Sequence, residues 1–184
     1  PKQPNVTVPV YDEGHQSWVA PFVMAATNSR VVLRTHSLLE REGGDDFTYG
    51  ESMMTGDGIS GRAKAFAIAG GMGGFMGVAA FGPTRSLMGR FLPEPGEGPS
   101  PEAQEAGFFD VRLHGSTDAG DEITVKVTGD RDPGYGSTAK MLAEAATTLL
   151  DSEATGGFWT PATALGGAYI DALVEHEGLT LDVV

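Results

Sequence analysis

Cysteine is missing from all 184 residues. No disulfide framework, thiolate nucleophile or cysteine-ligated metal site is therefore open to this chain. Basic side chains are scarce: 12 Lys and Arg stand against 25 Asp and Glu, a net charge of -13. So acidic a surface repels phosphate, which argues against nucleic-acid binding and against docking on anionic lipid through charge alone. A phosphate-cradling Gly-Lys-Ser/Thr motif and a Gly-x-Ser-x-Gly nucleophile elbow are also missing. The four histidines, His15, His36, His114 and His176, lack ligand spacing, so no metal site is expected. The first residue is Pro1, and nothing after it resembles a charged stretch followed by an apolar signal core. The chain reads as a fragment, with a cytoplasmic setting as the expectation.

Glycine, by contrast, is abundant at 27 residues, which implies many turns or close backbone approaches. Residues 1–10 read as an extended lead-in. Residues 28–39, with Val31, Val32, Leu38 and Leu39, read as a helix, and residues 47–54 as a strand. Ser60 is placed to cap a long apolar helix reaching about residue 80. Residues 81–101 form a Gly/Pro-rich connection long enough to suggest a functional role. Residues 108–113 and 123–127 read as a hairpin turning near Asp118-Ala119-Gly120-Asp121. Two helices follow, one starting after Gly134 and reaching about Leu150, the other ending near Gly178. Residues 179–184 then alternate like a strand. The pattern is α+β: a mixed, mostly antiparallel sheet covered by helices.

Three motifs have competing readings. Gly70-Gly71-Met72-Gly73-Gly74-Phe75-Met76-Gly77 lies inside an apolar run. It reads as a dinucleotide loop if residues 65–69 are a strand, although the acid that should follow, Glu94, falls in a Pro-rich stretch. Residues 63–81 also have the length and GxxxG spacing of a membrane helix. The favoured reading is a helix buried in protein, its glycines admitting a neighbouring backbone. Arg30 and Arg34 are four residues apart, so a helix sets both guanidinium groups on one face, where they could clamp a carboxylate or phosphate. The competing role is surface ion pairing with Glu40 and Glu42. Tyr135, Ser137 and Thr138 stand where a helix amino terminus would offer N–H groups to an anion. The alternative there is an ordinary capped helix. Tyr135 and Lys140 do not repeat the short-chain dehydrogenase pair, because a spacing of five turns them about 140° apart on a helix.

The tail from Gly129-Asp130-Arg131-Asp132-Pro133-Gly134-Tyr135 onward, with Pro21-Phe22-Val23-Met24 through Arg34, resembles the carboxy-terminal half of saccharopine-dehydrogenase-like oxidoreductases. The branch known as trans-acting enoyl reductases is most similar. The resemblance implies that a Rossmann half, binding NAD(P) in the full-length protein, is absent from this chain, and that this fragment binds no dinucleotide. It implies a substrate-side α+β domain over residues 1–133, with residues 134–184 returning to pack on the nucleotide-binding domain. It also implies substrate contacts from Asn28, Arg30 and Arg34, a small-molecule or lipid-like substrate, and homodimerisation, while Tyr135, Ser137 and Thr138, at a helix amino terminus, are the candidate cofactor contacts. No catalytic residue follows from it. The alternative is an interaction or membrane-associated domain organised around residues 63–81, with peripheral membrane contact through that helix.

Overall fold

A computed structural model describes residues 1–89 and 96–184, which divide into two compact units, residues 1–95 and 96–184. In the first unit, β1 (Val10–Asp12), β2 (Ser17–Pro21) and β3 (Ser52–Gly56) form an antiparallel sheet with β2 at its centre. Helix α1 (Ala25–Leu38) lies between β2 and β3 in the chain. The expected strand over residues 47–54 is shorter and later. Tyr49 gives its backbone N–H to the side chain of Gln3 instead of to a ladder partner, and pairing begins only at Ser52.

A tight turn then launches α2 (Gly58–Ala80). Gly56 (φ 96°) and Gly58 (φ 64°) adopt conformations that favour glycine, and the Asp57 carboxylate accepts the Gly58 N–H at 2.5 Å. Asp57, not Ser60, is therefore the cap. Gly61 is obligatory for a different reason: a Cβ there would sit 2.0 Å from the Gly56 carbonyl oxygen. Val19, Ala20 and Ala65 are buried where the first turns of α2 cross β2.

Past Ala65, no residue of α2 is buried, and a Cβ at Gly70, Gly71, Gly73, Gly74 or Gly77 would meet nothing within 4 Å. The expectation of a helix enclosed by protein is overturned within this unit. The cause is length: strands of five residues run about 17 Å, whereas a helix of 23 residues runs about 35 Å. The sheet can cover only one end. Because residues 65–69 are helical, the dinucleotide-loop reading loses its strand as well. Phe81 breaks the helix with an extended ψ of 125°, and Pro83 opens α3 (Gly82–Met88) inside what had read as a loop. Residues 90–95 of that expected connection, with Glu94, lie outside the described residues.

The second unit begins with α4 (Pro101–Ala106), then β4 (Phe109–Ser116) and β5 (Glu122–Gly129), which pair as the expected hairpin around Gly120 (φ 90°). Helices α5 (Gly136–Leu150) and α6 (Pro161–His176) follow, the latter interrupted at Gly166 (φ 58°, ψ -143°). Strand β6 (Thr180–Val183) adds to β5, giving the order β4-β5-β6, all antiparallel. The fold class is thus α+β, and both sheets are wholly antiparallel. A boundary at residue 133 does not coincide with the division into units. Four backbone-paired positions, Val125↔Val183 through Thr128↔Thr180, tie the tail strand to the hairpin, and both belong to the unit of residues 96–184.

Register sorts the second sheet into two chemically distinct faces. Asp110, Arg112, His114, Thr124, Lys126, Thr128, Thr180 and Asp182 share one face. Asp110 lies 3.6 Å from both Arg112 and Lys126 and so offsets two cations that sit directly opposite each other. The other face carries Val111, Leu113, Ile123, Val125, Val127, Leu181 and Val183.

Candidate functional site

In the first unit, the side chains expected to meet substrate divide between two sides of α1. The Asn28 amide donates to Glu51 Oε2 at 2.9 Å, while the Tyr49 hydroxyl donates to Glu51 Oε1 at 2.6 Å. Glu51 is thereby held from both sides, and burial, followed by the adjoining Glu51 carboxylate, pushes the Tyr49 phenol well above its usual range. Arg30 and Arg34 are exposed and one turn apart on the helix. They are rotated about 200° and 240° from Asn28. One cluster of all three residues is therefore not formed: Asn28 positions Glu51, and the two arginines present their guanidinium groups elsewhere. Arg41 pairs with Asp45 at 2.5 Å, so the acidic turn after α1 supplies its own cation.

In the second unit, the amino terminus of α5 does gather Tyr135, Ser137 and Thr138, but its amides are occupied. The Asp132 carboxylate accepts N–H groups from Gly134 (2.9 Å), Tyr135 (2.8 Å) and Gly136 (3.0 Å), and the Ser137 N–H goes to the Asp132 carbonyl at 2.9 Å. Those donors, with the Tyr135 N–H foremost, hold the Asp132 carboxyl below its ordinary value. The hydroxyls of Ser137 and Thr138 donate to the carbonyls of Arg131 (3.0 Å) and Pro133 (2.6 Å). The amides that turn together at the start of α5 are thus taken by the chain's own aspartate. Lys140 Nζ donates to Asp130 Oδ1 at 2.9 Å, which holds that carboxyl low too, and the Tyr135 ring lies against Gly98. Tyr135 and Lys140 thus have different partners, as their spacing requires.

A groove of about 180 Å³ opens where α6 crosses the apolar face of the second sheet. Val127, Ile170, Leu173, Val174, Leu179 and Leu181 line it, together with Thr180. Leu173 and Leu179 are buried at its floor, while Ile170 and Val174 stay half exposed at its rim. The αL conformation of Gly178 (φ 71°) ends α6, and the Leu179 N–H returns to the Leu173 carbonyl at 3.4 Å, folding the chain back toward β6. The Tyr169 hydroxyl donates to the Met141 carbonyl at 2.7 Å and fixes α6 against α5. Apolar side chains dominate its lining, and none of the lining residues is an ionisable group that could drive proton transfer.

Sequence reading missed Glu51, Asp132 and the sheet side of the groove. Asp132 had a local signal: an Asp immediately before Pro-Gly readily turns its carboxylate onto the amides that follow. Glu51 had none, because its partner Asn28 is 23 residues away. Among the described residues, no group of three His, Asp or Glu side chains is placed to hold a metal ion.

The chain is similar to several mycobacterial proteins. A trans-acting enoyl reductase of Mycobacterium bovis is 33% identical over 163 residues, and one of Mycobacterium ulcerans is 34% identical over 166. A Mycobacterium tuberculosis protein provisionally given the same name is 34% identical over 168 residues. In each case the match takes in 85% of this chain but 39% of the relative's length. No protein-family model matches the chain, and no solved structure does.

Proposed function

We propose that this chain is the substrate-side part of a nicotinamide-dependent oxidoreductase of the saccharopine-dehydrogenase-like type, one that reduces enoyl groups on lipid-like substrates. The observation that carries the reading is the similarity to trans-acting enoyl reductases at 33–34% identity across 85% of the chain. The residues present do not suit a dinucleotide. All strand pairs described are antiparallel, so no βαβ unit is formed, and the amides at the start of α5 already serve Asp132. On this reading the reductant is held by a part of the full-length protein outside these residues, in keeping with a match that covers 39% of the relatives' length. The chain's own contribution is shape and charge. In the second unit the groove beside α6 offers an apolar wall; in the first, Arg30 and Arg34 stand one turn apart on α1 and carry the guanidinium chemistry that suits a carboxylate or phosphate.

The test uses the full-length protein and enoyl thioesters of increasing chain length, followed through oxidation of NADH or NADPH. Arg30→Lys and Arg34→Lys should each lower kcat/KM by about 1–3 kcal/mol, the scale of a lost charge-assisted hydrogen bond. Val174→Glu, at the groove rim, should raise KM for long acyl chains and leave short ones unaffected. Absence of any enoyl-dependent cofactor oxidation by the wild type would remove the reading; unchanged kinetics in both arginine variants would reduce those side chains to surface cations.

A further inference from the structure

The bare length of α2 has a charge pattern unlike the rest of the molecule. The chain carries 25 acidic residues, yet none falls between Gly58 and Gly89, where Arg62, Lys64 and Arg85 are the only charges. The 20 residues 65–84 between Lys64 and Arg85 contain no ionisable side chain at all. Their helical part, residues 65–80, extends about 24 Å, and the long stems of Arg62 and Lys64 can snorkel outward to add reach. That approaches the roughly 30 Å of a bilayer's hydrocarbon layer. The exposed side chains include Phe66, Phe75, Met76 and Val78, and they do not keep to one side. A protein partner docking on one face needs only a stripe, whereas lipid surrounds a helix.

A second observation concerns the end of the helix that touches the sheet. There the Arg62 guanidinium lies 5.3 Å from the centre of the Trp18 ring and 5.8 Å from that of Phe66, and Tyr11 meets Trp18 edge-on at 5.9 Å. Tyr, Trp and Arg gathered at one end of the charge-free stretch match the chemistry of the headgroup layer, where amphipathic rings and cations meet lipid phosphates. The opposite end finishes on exposed Phe81 and Arg85.

We infer that α2 inserts into a phospholipid bilayer, with the Tyr11–Trp18–Arg62 cluster at the headgroup level. Hydrocarbon, not net charge, drives the insertion, so the protein's -13 charge does not forbid it. The inference stands apart from the enoyl reductase reading, because vesicle partition needs neither cofactor nor substrate.

The experiment is flotation of the full-length protein with phosphatidylcholine vesicles, alone and mixed with phosphatidylglycerol. Flotation with both is expected, together with stronger quenching of Trp18 fluorescence by lipids brominated near the headgroup than by lipids brominated at the chain end. Phe75→Asp should weaken partition by about two orders of magnitude. Phe75→Lys should do the same, and circular dichroism should show either variant folded, because residue 75 is exposed. Failure of the wild type to float, or equal flotation of both variants, overturns the inference. So does self-association that persists without vesicles and disappears in the variants, since it would make a second copy the occupant of α2.

Discussion

Glycine has two opposite roles within α2. At Gly61 the missing Cβ makes room for the Gly56 carbonyl, so Gly61→Ala should destabilise the first unit by about 1–3 kcal/mol, the usual penalty of overpacking. At Gly70 and Gly74 nothing is near, and alanine should stabilise the helix by about 0.8–1 kcal/mol each. Denaturant unfolding of the three variants checks both signs; a loss at Gly70 or Gly74 would mean that something packs there. Asp132 acts through its charge. Its carboxyl is held low by the three amides it caps, so its stabilising contribution is complete above the ordinary carboxylate value, about 3.9. It is lost as pH falls through the lower folded value. Asp132→Ala should therefore unfold at lower temperature than the wild type near neutrality, and the two melting curves should converge in acid. A gap that stays constant with pH would show that the carboxylate's charge is not what caps α5.

Among the elements, α6 has the clearest energetic role in its unit. Leu173 is 8% exposed against β5 and β6, whereas Leu150, at the end of α5, is 85% exposed. Leu173→Ala should cost about 2–4 kcal/mol, and Leu150→Ala should stay within about 0.5 kcal/mol. Calorimetric unfolding distinguishes them. Equal effects would place Leu150 in a packed environment. The sheet beneath α6 shows how one register makes two surfaces. A shift of one residue in β5 would put Lys126 and Thr128 under the helix, and the pairing of Val125 with Val183 and Val127 with Leu181 prevents it. Much of that apolar face, including Val183 at 71% exposure, remains open in this unit.

On the scale of the whole molecule, each unit carries its own sheet and its own buried residues. Residues 96–184 produced alone should keep the β4-β5-β6 ladder, seen as slow amide exchange at Val125, Val127 and Leu181. Rapid exchange across all three strands would show that the second unit needs the first in order to fold. The apolar surface is extensive for 184 residues. Val111, Leu113 and Ile123 are exposed on the second sheet, Leu142, Leu149 and Leu150 on α5, and the length of α2 on the first unit. Surfaces of this kind mark interfaces, and the chain spans 39% of the length of the relatives it matches.

By itself, the sequence determined what short-range chemistry decides. The hairpin of β4 and β5 was legible because alternation and an Asp-Ala-Gly-Asp turn are both local. The spans of α5 and α6 follow from apolar spacing and from Pro or Gly near their ends, while α1 starts at Ala25, three residues before the expected residue 28. The α+β class follows from those elements together. Tertiary structure decided three other things. It gave Asn28 its partner, because Glu51, 23 residues along the chain, reaches the amide only once the chain has folded back beside α1. It assigned the tail strand to the hairpin's sheet, because backbone pairing between Val125 and Val183 depends on contacts 58 residues apart. And it left α2 uncovered. Periodicity reports that a helix is apolar on every side, but whether protein or lipid meets those sides depends on how far a five-residue strand can reach along 23 residues of helix.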